Sequence, residues 1–246
     1  MVGQTVKPTY FRPGTLHQDD GTTHSRPLPP GAEQQEEWVL LDGTPASCVQ
    51  IGLYHFFQDR GPVDLVVSGP NYGRNSTAVF SLSSGTVGGA LEAAVCKKKA
   101  IALSYGFFSR NHDPEIIASA SKLSVRLCEH LHKNWDEAVD LYTVNIPLVE
   151  NVHERKVMWT NMLQNYWAPQ SCFQEVEDED GDPEEEEERI RETEGGAISG
   201  EEDVTRHKHK HFKWAPRFAD VYKSVADSSP GNDGWAVQEG FTRYVF

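Results

Sequence analysis

Cysteine is scarce in this chain of 246 residues, and its cysteines are too far apart for a C-x-x-C pair or for the spacing of zinc ligands. The four are Cys48, Cys96, Cys128 and Cys172. Such isolated residues are typical of reduced thiols in a cytosolic protein rather than of a disulfide framework. No apolar run is long enough to span a bilayer, and residues 1–10 lack the apolar core of a signal peptide. We therefore expect a cytoplasmic protein without a membrane partner.

Positive charge is also limited, with 23 Lys and Arg against 37 Asp and Glu and a formal net charge of −14. Eleven of the acids lie in residues 175–188, and without them the net charge changes from −14 to −3. The rest of the chain is therefore nearly balanced, and no basic stripe dominates it. This pattern argues against nucleic acid as a partner.

The distribution of polar and apolar segments predicts one domain over residues 1–246, because a chain of this length can bury one sizeable core. Its parts are an irregular arm at 1–35, a core at 36–173, an acidic disordered insertion at 174–203 and a C-terminal return to the fold at 204–246. The insertion is predicted from its high charge and low apolar content.

Strands predicted within the core alternate with amphipathic helices. The strands are 38–41, 63–67, 100–104 and 141–146, and the helices begin near Thr44, Ser84 and Ile116. This order predicts an α/β fold with three α/β/α layers around a mostly parallel, Rossmann-like sheet. Residues 151–173 are expected to add an extended hairpin or arm in the C-terminal third. In such sheets ligands bind beyond the carboxyl ends of the strands.

The most informative stretch is 63–86, V-D-L-V-V-S-G-P-N-Y-G-R-N-S-T-A-V-F-S-L-S-S-G-T. A short apolar strand leads into a loop with two asparagines, Asn71 and Asn75, and a small-residue turn at Ser84 then starts a helix. Backbone N–H groups at a helix N-terminus have no intrahelical partner and can bind an anion. The stretch therefore predicts a phosphate site.

Three motifs within this core resemble those of the SurE family of metal-dependent phosphatases and nucleotidases. They are G-T-P-A-S-C-V at 43–49, V-S-G-P-N-Y-G-R-N at 67–75 and S-G-T-V-G-G-A at 84–90. V-N-I-P at 144–147 is a weaker match. The residues in these motifs resemble those of fungal members, in which a SurE-like domain can precede a tubulin-tyrosine-ligase-like domain.

The resemblance implies hydrolysis of phosphomonoesters, typically nucleoside monophosphates, with Mg²⁺ or Mn²⁺. It implies that Asn71 is a metal ligand and that Asn75 points into the phosphate site. Ser84, Gly85 and Thr86 would hold the phosphate, and Asn75 and Ser84 would be the catalytic pair. SurE-like proteins are usually dimers or higher oligomers, so a homo-oligomer is expected.

The chain also departs from the family pattern. Family members begin with a buried strand ending in N-D-D-G, whose two aspartates bind the metal. Here Asp19 and Asp20 precede a glycine but follow no apolar run, and they lie too close to the G-T-P-A motif. A family serine ligand has no clear match, the spacing from Asn75 to Ser84 is one residue longer, and G-F-T-R-Y-V-F replaces the usual ending. We therefore expect a truncated or mis-assembled product of a SurE-like gene, with weak or no activity.

Each signal also has a structural interpretation. Asn71 and Asn75 can be ordinary turn residues, and Ser84 can be a helix cap. Ser84 is not expected to act as a covalent nucleophile, since no His–Asp pair is identifiable to activate it. His207, His209 and His211 would share a face on a strand and could bind a transition metal, although a solvated arm is favoured.

The sequence is also compatible with two other function classes. One is a non-catalytic phosphate or nucleotide binder, or a scaffold remnant of a SurE-like protein. The other, a dinucleotide-binding oxidoreductase, is disfavoured because no G-x-G-x-x-G follows a strand.

Overall fold

The computed structural model describes residues 5–14, 21–32, 35–108, 112–167, 172–176 and 210–245. They belong to two compact units. The first unit comprises Met1–Asn165 and Val225–Phe246, and the second comprises Tyr166–Ser224.

A small antiparallel sheet precedes the main one. It contains β1 (Pro8–Arg12), β2 (Thr22–His24) and β3 (Trp38–Leu41), with β1 in the middle. The segment 1–35 was predicted to be irregular, but it contributes two of these strands. Strand β3 was predicted correctly, yet it pairs with β1 and not with the parallel sheet. Strands this short carry too little periodicity to be recognised, and they form because they pair with each other.

The remaining elements are helices and strands. In chain order they are α1 (Pro45–Ile51), β4 (Leu65–Tyr72), α2 (Thr77–Leu82), α3 (Gly85–Val95), β5 (Lys99–Gly106), α4 (Pro114–Lys133), β6 (Leu141–Pro147), β7 (Val157–Trp159), β8 (Phe173–Val176), β9 (His211–Trp214), α5 (Phe218–Ala226), α6 (Asp233–Gln238) and β10 (Thr242–Val245). Helix α1 continues as a π-helical turn over Gly52–Phe56. The predicted helix starts at Thr44 and Ser84 are confirmed, since each residue is the N-cap of its helix.

The main sheet has the order β4-β5-β6-β10-β7. Strands β4, β5 and β6 are parallel, β10 is antiparallel to β6, and β7 is parallel to β10. The C-terminal segment therefore returns to the fold as an inserted strand. The predicted three-layer, mostly parallel α/β architecture is confirmed.

Alternate residues of β5 face different helices. Ile101 and Leu103 pack with Leu123 of α4 on one face of the sheet, and Ala100 and Ala102 pack with α3 on the other. Small residues let α3 come close to the sheet, because a Cβ at Gly89 would lie 2.7 Å from Ser68 Oγ of β4. This close approach fixes where the N-terminus of α3 meets the end of β4.

The second unit contains an antiparallel pair of strands, β8 and β9. Most of the predicted acidic insertion, and His207 and His209, lie outside the described residues. His211 opens β9. All four cysteines are free thiols, and burial raises the pKa of Cys128. None of the helices in the described parts of the chain is long and apolar enough to cross a membrane.

Candidate phosphate site

Polar residues form a row across four neighbouring strands of the main sheet. Asn71 of β4 is the ladder partner of Ser104 of β5, which pairs with Asn145 of β6, which pairs with Arg243 of β10. Ser104, Asn145 and Arg243 are buried. Ser104 continues the alternation that turns Ala100 and Ala102 toward α3, so the row lies on the α3 side of the sheet.

Asn75 is held in the middle of this row. Its backbone N–H donates to Asn145 Oδ1 at 2.7 Å, and its Nδ2 donates to Ser104 Oγ at 2.6 Å. Its carbonyl oxygen accepts from Arg243 Nη2 and from Ser81 Oγ, both at 2.7 Å. The side chain is therefore buried and fixed, and the bond to Ser104 uses one of its two amide hydrogens.

Asn71 lies at the carboxyl end of β4 beside the same serine. Its Nδ2 donates to the carbonyl of Gly73 at 3.0 Å, which turns the amide across that glycine. An asparagine amide has one oxygen and one nitrogen, so this bond leaves Oδ1 as the acceptor of the side chain. Both asparagines are therefore neighbours of Ser104, Asn71 as its ladder partner and Asn75 through a side-chain hydrogen bond.

The turn at Ser84 is tied to Asn75 through Ser81. The Ser81 hydroxyl donates to the Asn75 carbonyl, and the Ser84 N–H donates to the Ser81 carbonyl at 3.2 Å. Ser84 Oγ accepts from Val87 N at 3.2 Å and so caps α3. The Gly88 N–H bonds to the Ser84 carbonyl. The amides of Gly85 and Thr86 are the first-turn donors that these bonds leave over.

The motif G-T-P-A-S-C-V at 43–49 packs against this turn. Thr44 Oγ1 accepts from Ser47 N at 3.2 Å and caps α1, whose first residue is Pro45. A Cβ at Gly85 would lie 3.1 Å from Pro45 Cγ, so the ring of this proline packs directly on the start of α3. The three sequence motifs are therefore joined by packing at one edge of the sheet.

Aromatic rings stack at the carboxyl end of β4. Tyr72, which follows Asn71, stacks between Phe107 and His112, with ring centroids 4.6 Å and 4.7 Å apart and interplanar angles of 9° and 19°. Phe107 and the adjacent Phe108 are exposed. The carboxyl ends of β4 and β5 thus carry an apolar, aromatic surface at the same end of the sheet as Asn71. Tyr72 pairs with Tyr105, which packs with α4, so its ring is on the α4 side of the sheet.

A buried ion pair completes the network. Arg243 and Asp233 are both fully buried, with Nη2 3.5 Å from Oδ2, and Arg243 Nη1 donates to Thr143 Oγ1 at 3.0 Å. Burial lowers the pKa of Arg243 to about 10, and Asp233 opposes that change. The guanidinium therefore keeps its charge at neutral pH.

The described residues do not fit a divalent cation. No group of three or more His, Cys, Asp or Glu within them is placed to hold a metal ion. Asn71 brings one neutral oxygen, and the carboxylate of Asp233 is already occupied by Arg243 and by backbone amides. A hard divalent cation needs several oxygen ligands, of which carboxylates are the usual anionic ones. Asp19 and Asp20 lie outside the described residues.

Ser104, Asn145, Asp233 and Arg243 were not recognised as site residues from the sequence. A signal existed, because Asn145 carries an amide and Arg243 a charge within short strands whose residues are mostly buried. Buried polar groups require partners, so each predicts a long-range hydrogen bond. The sequence does not say with which residue.

Comparison with known proteins places the chain in a family. The model of the family "Survival protein SurE" matches residues 6–169, more than half of the chain. The probable tubulin–tyrosine ligase PBY1 of Saccharomyces cerevisiae is 41% identical over 195 residues, which cover 74% of this chain and 22% of the yeast protein. The 5'-nucleotidase SurE of Ruegeria pomeroyi is 39% identical over 152 residues, which cover 59% of this chain and 55% of that protein.

The fold is also similar to a solved structure. The crystal structure of the SurE protein from Aquifex aeolicus superposes with a TM-score of 0.55 at 21% identity, covering 100% of this chain and 74% of that one. The chain spans about a fifth of the yeast relative and about half of the bacterial one. The family match over residues 6–169 agrees with the three motifs and with the fold, and the chain belongs to the SurE family.

Proposed function

We propose that this chain binds phosphomonoesters, nucleoside monophosphates above all, and hydrolyses them as a SurE-type phosphatase. One observation carries the proposal: hydrogen bonds run from Asn75 through Ser81 to Ser84 and so hold the two motifs together at the carboxyl edge of the sheet. The name of the Ruegeria pomeroyi relative, a 5'-nucleotidase, supports the reaction class.

The phosphoryl group would bind at the N-terminus of α3. The amides of Gly85 and Thr86 would donate to its oxygens, while Ser84 holds the turn through its bond to Val87. Asn75 would present its second amide hydrogen to the charge that develops during the reaction. In this arrangement Ser84 shapes the cradle and takes no covalent part.

The aromatic surface supports a nucleoside as the esterified group. Phe107 stacks on Tyr72, the residue that follows Asn71, and nucleobases stack readily on aromatic side chains. A substrate without a base, such as glycerol 2-phosphate, would not use that surface. We therefore expect AMP to be preferred.

Asn71 would offer Oδ1 to Mg²⁺ or Mn²⁺, the ions that the family resemblance implies. Such an ion neutralises phosphoryl oxygens and acidifies water when it is bound. No group of three or more His, Cys, Asp or Glu among the described residues could hold such an ion. We therefore expect this chain to bind phosphate well and to turn substrate over slowly.

The first experiment measures binding. Inorganic phosphate and AMP should raise the melting temperature without added metal. Gly85→Pro removes one amide donor at a first-turn position where proline is tolerated. A hydrogen bond to a charged group contributes about 1.5–3 kcal/mol, so this variant should bind phosphate at least about tenfold more weakly.

Gly85→Ala is the matched control. It makes the same Cβ contact with Pro45 but keeps the N–H group, so its phosphate affinity should stay close to that of the wild type. Equal affinities for all three proteins would mean that phosphate does not bind at this turn.

The second experiment measures phosphate release from AMP and glycerol 2-phosphate with and without Mn²⁺. Phe107→Ala should reduce the preference for AMP, whereas the exposed neighbour variant Phe108→Ala should not. Fast Mn²⁺-dependent turnover that Asn71→Ala abolishes, and that Asp19→Ala and Asp20→Ala leave intact, would contradict this view of the metal ligands. A protein that neither binds nor hydrolyses these compounds would contradict the proposed function.

The second candidate function is a non-catalytic phosphate or nucleotide binder. The lack of metal ligands favours it, since no group of three or more His, Cys, Asp or Glu in the described parts of the chain could hold a metal ion. It predicts stabilisation by phosphate that Mn²⁺ does not change, with no release of phosphate from any substrate.

A further inference from the structure

We infer that Arg243 and Asp233 form a buried clamp, called here the C-terminal clamp, that fixes the backbone of residues 75–79 and so positions Asn75. The last step of this inference rests on the proposed function, because Asn75 matters there as a phosphate-site residue. The clamp itself depends only on the hydrogen bonds and the ion pair that hold the loop.

Arg243 is attached to the loop directly. Its Nη2 donates to the Asn75 carbonyl at 2.7 Å, and the guanidinium is fully buried. Its ladder partner Asn145 accepts the Asn75 N–H. Both backbone groups of Asn75 are thus bound by side chains of two paired strands, β6 and β10, that lie far along the chain.

Asp233 holds the next part of the loop. Its Oδ2 accepts from Thr77 N at 2.6 Å, and its Oδ1 accepts from Leu163 N at 2.8 Å. Thr77 has a φ of 70°, in the left-handed region that β-branched residues avoid. Such a conformation persists only where surrounding contacts impose it, and here the carboxylate supplies one.

The backbone amides of the next two residues of the loop are also hydrogen-bonded. Ala78 N donates to the Leu163 carbonyl at 2.9 Å, and Val79 N donates to Asn165 Oδ1 at 3.1 Å. The residue after Asp233 also contacts the loop, since a Cβ at Gly234 would lie 3.0 Å from Thr77 Cγ2. Residues 75–79 therefore have little freedom while α6 and β10 stay in place.

The ion pair joins these two anchors. Asp233 and Arg243 neutralise one another in a buried setting, so loss of one leaves the other charged and unpaired. Any shift of Arg243 acts on Asn75, and any shift of Asp233 acts on Thr77. These two residues are therefore positioning residues, acting on the site through the backbone of the loop.

The test compares hydrogen exchange of residues 75–79 with the affinity for inorganic phosphate. Arg243→Met removes the guanidinium and keeps a long apolar side chain. It should speed exchange of these amides at least about tenfold and weaken phosphate binding by a similar factor, since local opening is what exchange reports. The amides of α4 should keep their protection.

The double variant Arg243→Met with Asp233→Asn leaves no unpaired buried charge. It replaces the single variant in the test when the single variant folds poorly. It should show the same local increase. Tyr244→Leu is the matched control on the opposite face of β10, where it loses ring contacts with Trp159 and Tyr142. It should lower the melting temperature and leave both exchange of 75–79 and phosphate affinity unchanged.

Unchanged exchange of 75–79 in the double variant would overturn the clamp, as would an equal increase in Tyr244→Leu. The proposed function fails separately, when the wild-type protein does not bind phosphate. Exchange alone then decides whether the clamp exists.

Discussion

Two adjacent glycines of α3 provide a sensitive test of how the three motifs pack. A Cβ at Gly88 would have nothing within 4 Å, whereas a Cβ at Gly89 would lie 2.7 Å from Ser68 Oγ and 3.3 Å from Pro45 Cβ. Replacing either glycine by alanine makes the same chemical change in the same helix. The difference between the two variants therefore isolates the contact with β4 and α1.

The two substitutions should change the free energy of unfolding by different amounts. Alanine is favoured over glycine inside a helix by about 1 kcal/mol, so Gly88→Ala should stabilise the protein by roughly that amount. Gly89→Ala has the same gain but overfills a packed interface, which typically costs about 1–3 kcal/mol. The two free energies of unfolding should therefore differ by about 1–3 kcal/mol.

Urea unfolding followed by tryptophan fluorescence measures both values. Ser68→Ala offers a double-mutant cycle, because without Oγ the nearest Ser68 atom is Cβ at 3.5 Å, an ordinary contact. In that background Gly89→Ala should lose much of its penalty, with a coupling of about 1 kcal/mol. Equal stabilities of Gly88→Ala and Gly89→Ala would refute the close packing of α3 on the sheet.

Two further predictions concern the elements that carry the site. Asp113→Ala should destabilise the protein by about 1 kcal/mol in thermal unfolding, because Asp113 Oδ1 accepts from Glu115 N and Ile116 N and so caps α4. The control Asp136→Ala, in an exposed turn, should be nearly neutral. Gly69→Ala should largely abolish folding, because at a φ of 120° its Cβ would collide with the Leu103 carbonyl. The control is Gly231→Ala, where φ is 103° but an added Cβ would have no atom within 4 Å, so this variant should lose only about 1–2 kcal/mol of stability. A soluble, fully folded Gly69→Ala protein would contradict this account of β4.

Local signals in the sequence specify several hydrogen bonds of the candidate site. Thr44 and Ser84 are N-caps with partners three residues on, and Asn71 bonds to a carbonyl two residues on. These contacts lie within one turn, so the residue types and their spacing specify them. The parallel core also follows from the alternation of strands and helices, since parallel strands need such crossovers.

Local signals do not predict hydrogen-bond partners that are distant in the sequence. Asn75 bonds to Asn145, 70 residues away, and to Arg243, 168 residues away. Nothing in the local pattern distinguishes these from other polar residues in strands. The small sheet of β1, β2 and β3 was missed for the same reason, because its short strands depend on pairing and not on periodicity.

The sequence by itself determined the three parallel strands β4, β5 and β6, the caps of α1 and α3 and the family motifs, because each depends on neighbouring residues or on hydrophobic spacing. Only the tertiary structure decided that Asn75 is held by three separate strands and that Thr77 is kept in a left-handed conformation beside Asp233. The physical reason is that a buried polar group must find a partner, and only the packing of distant strands decides which partner comes within reach.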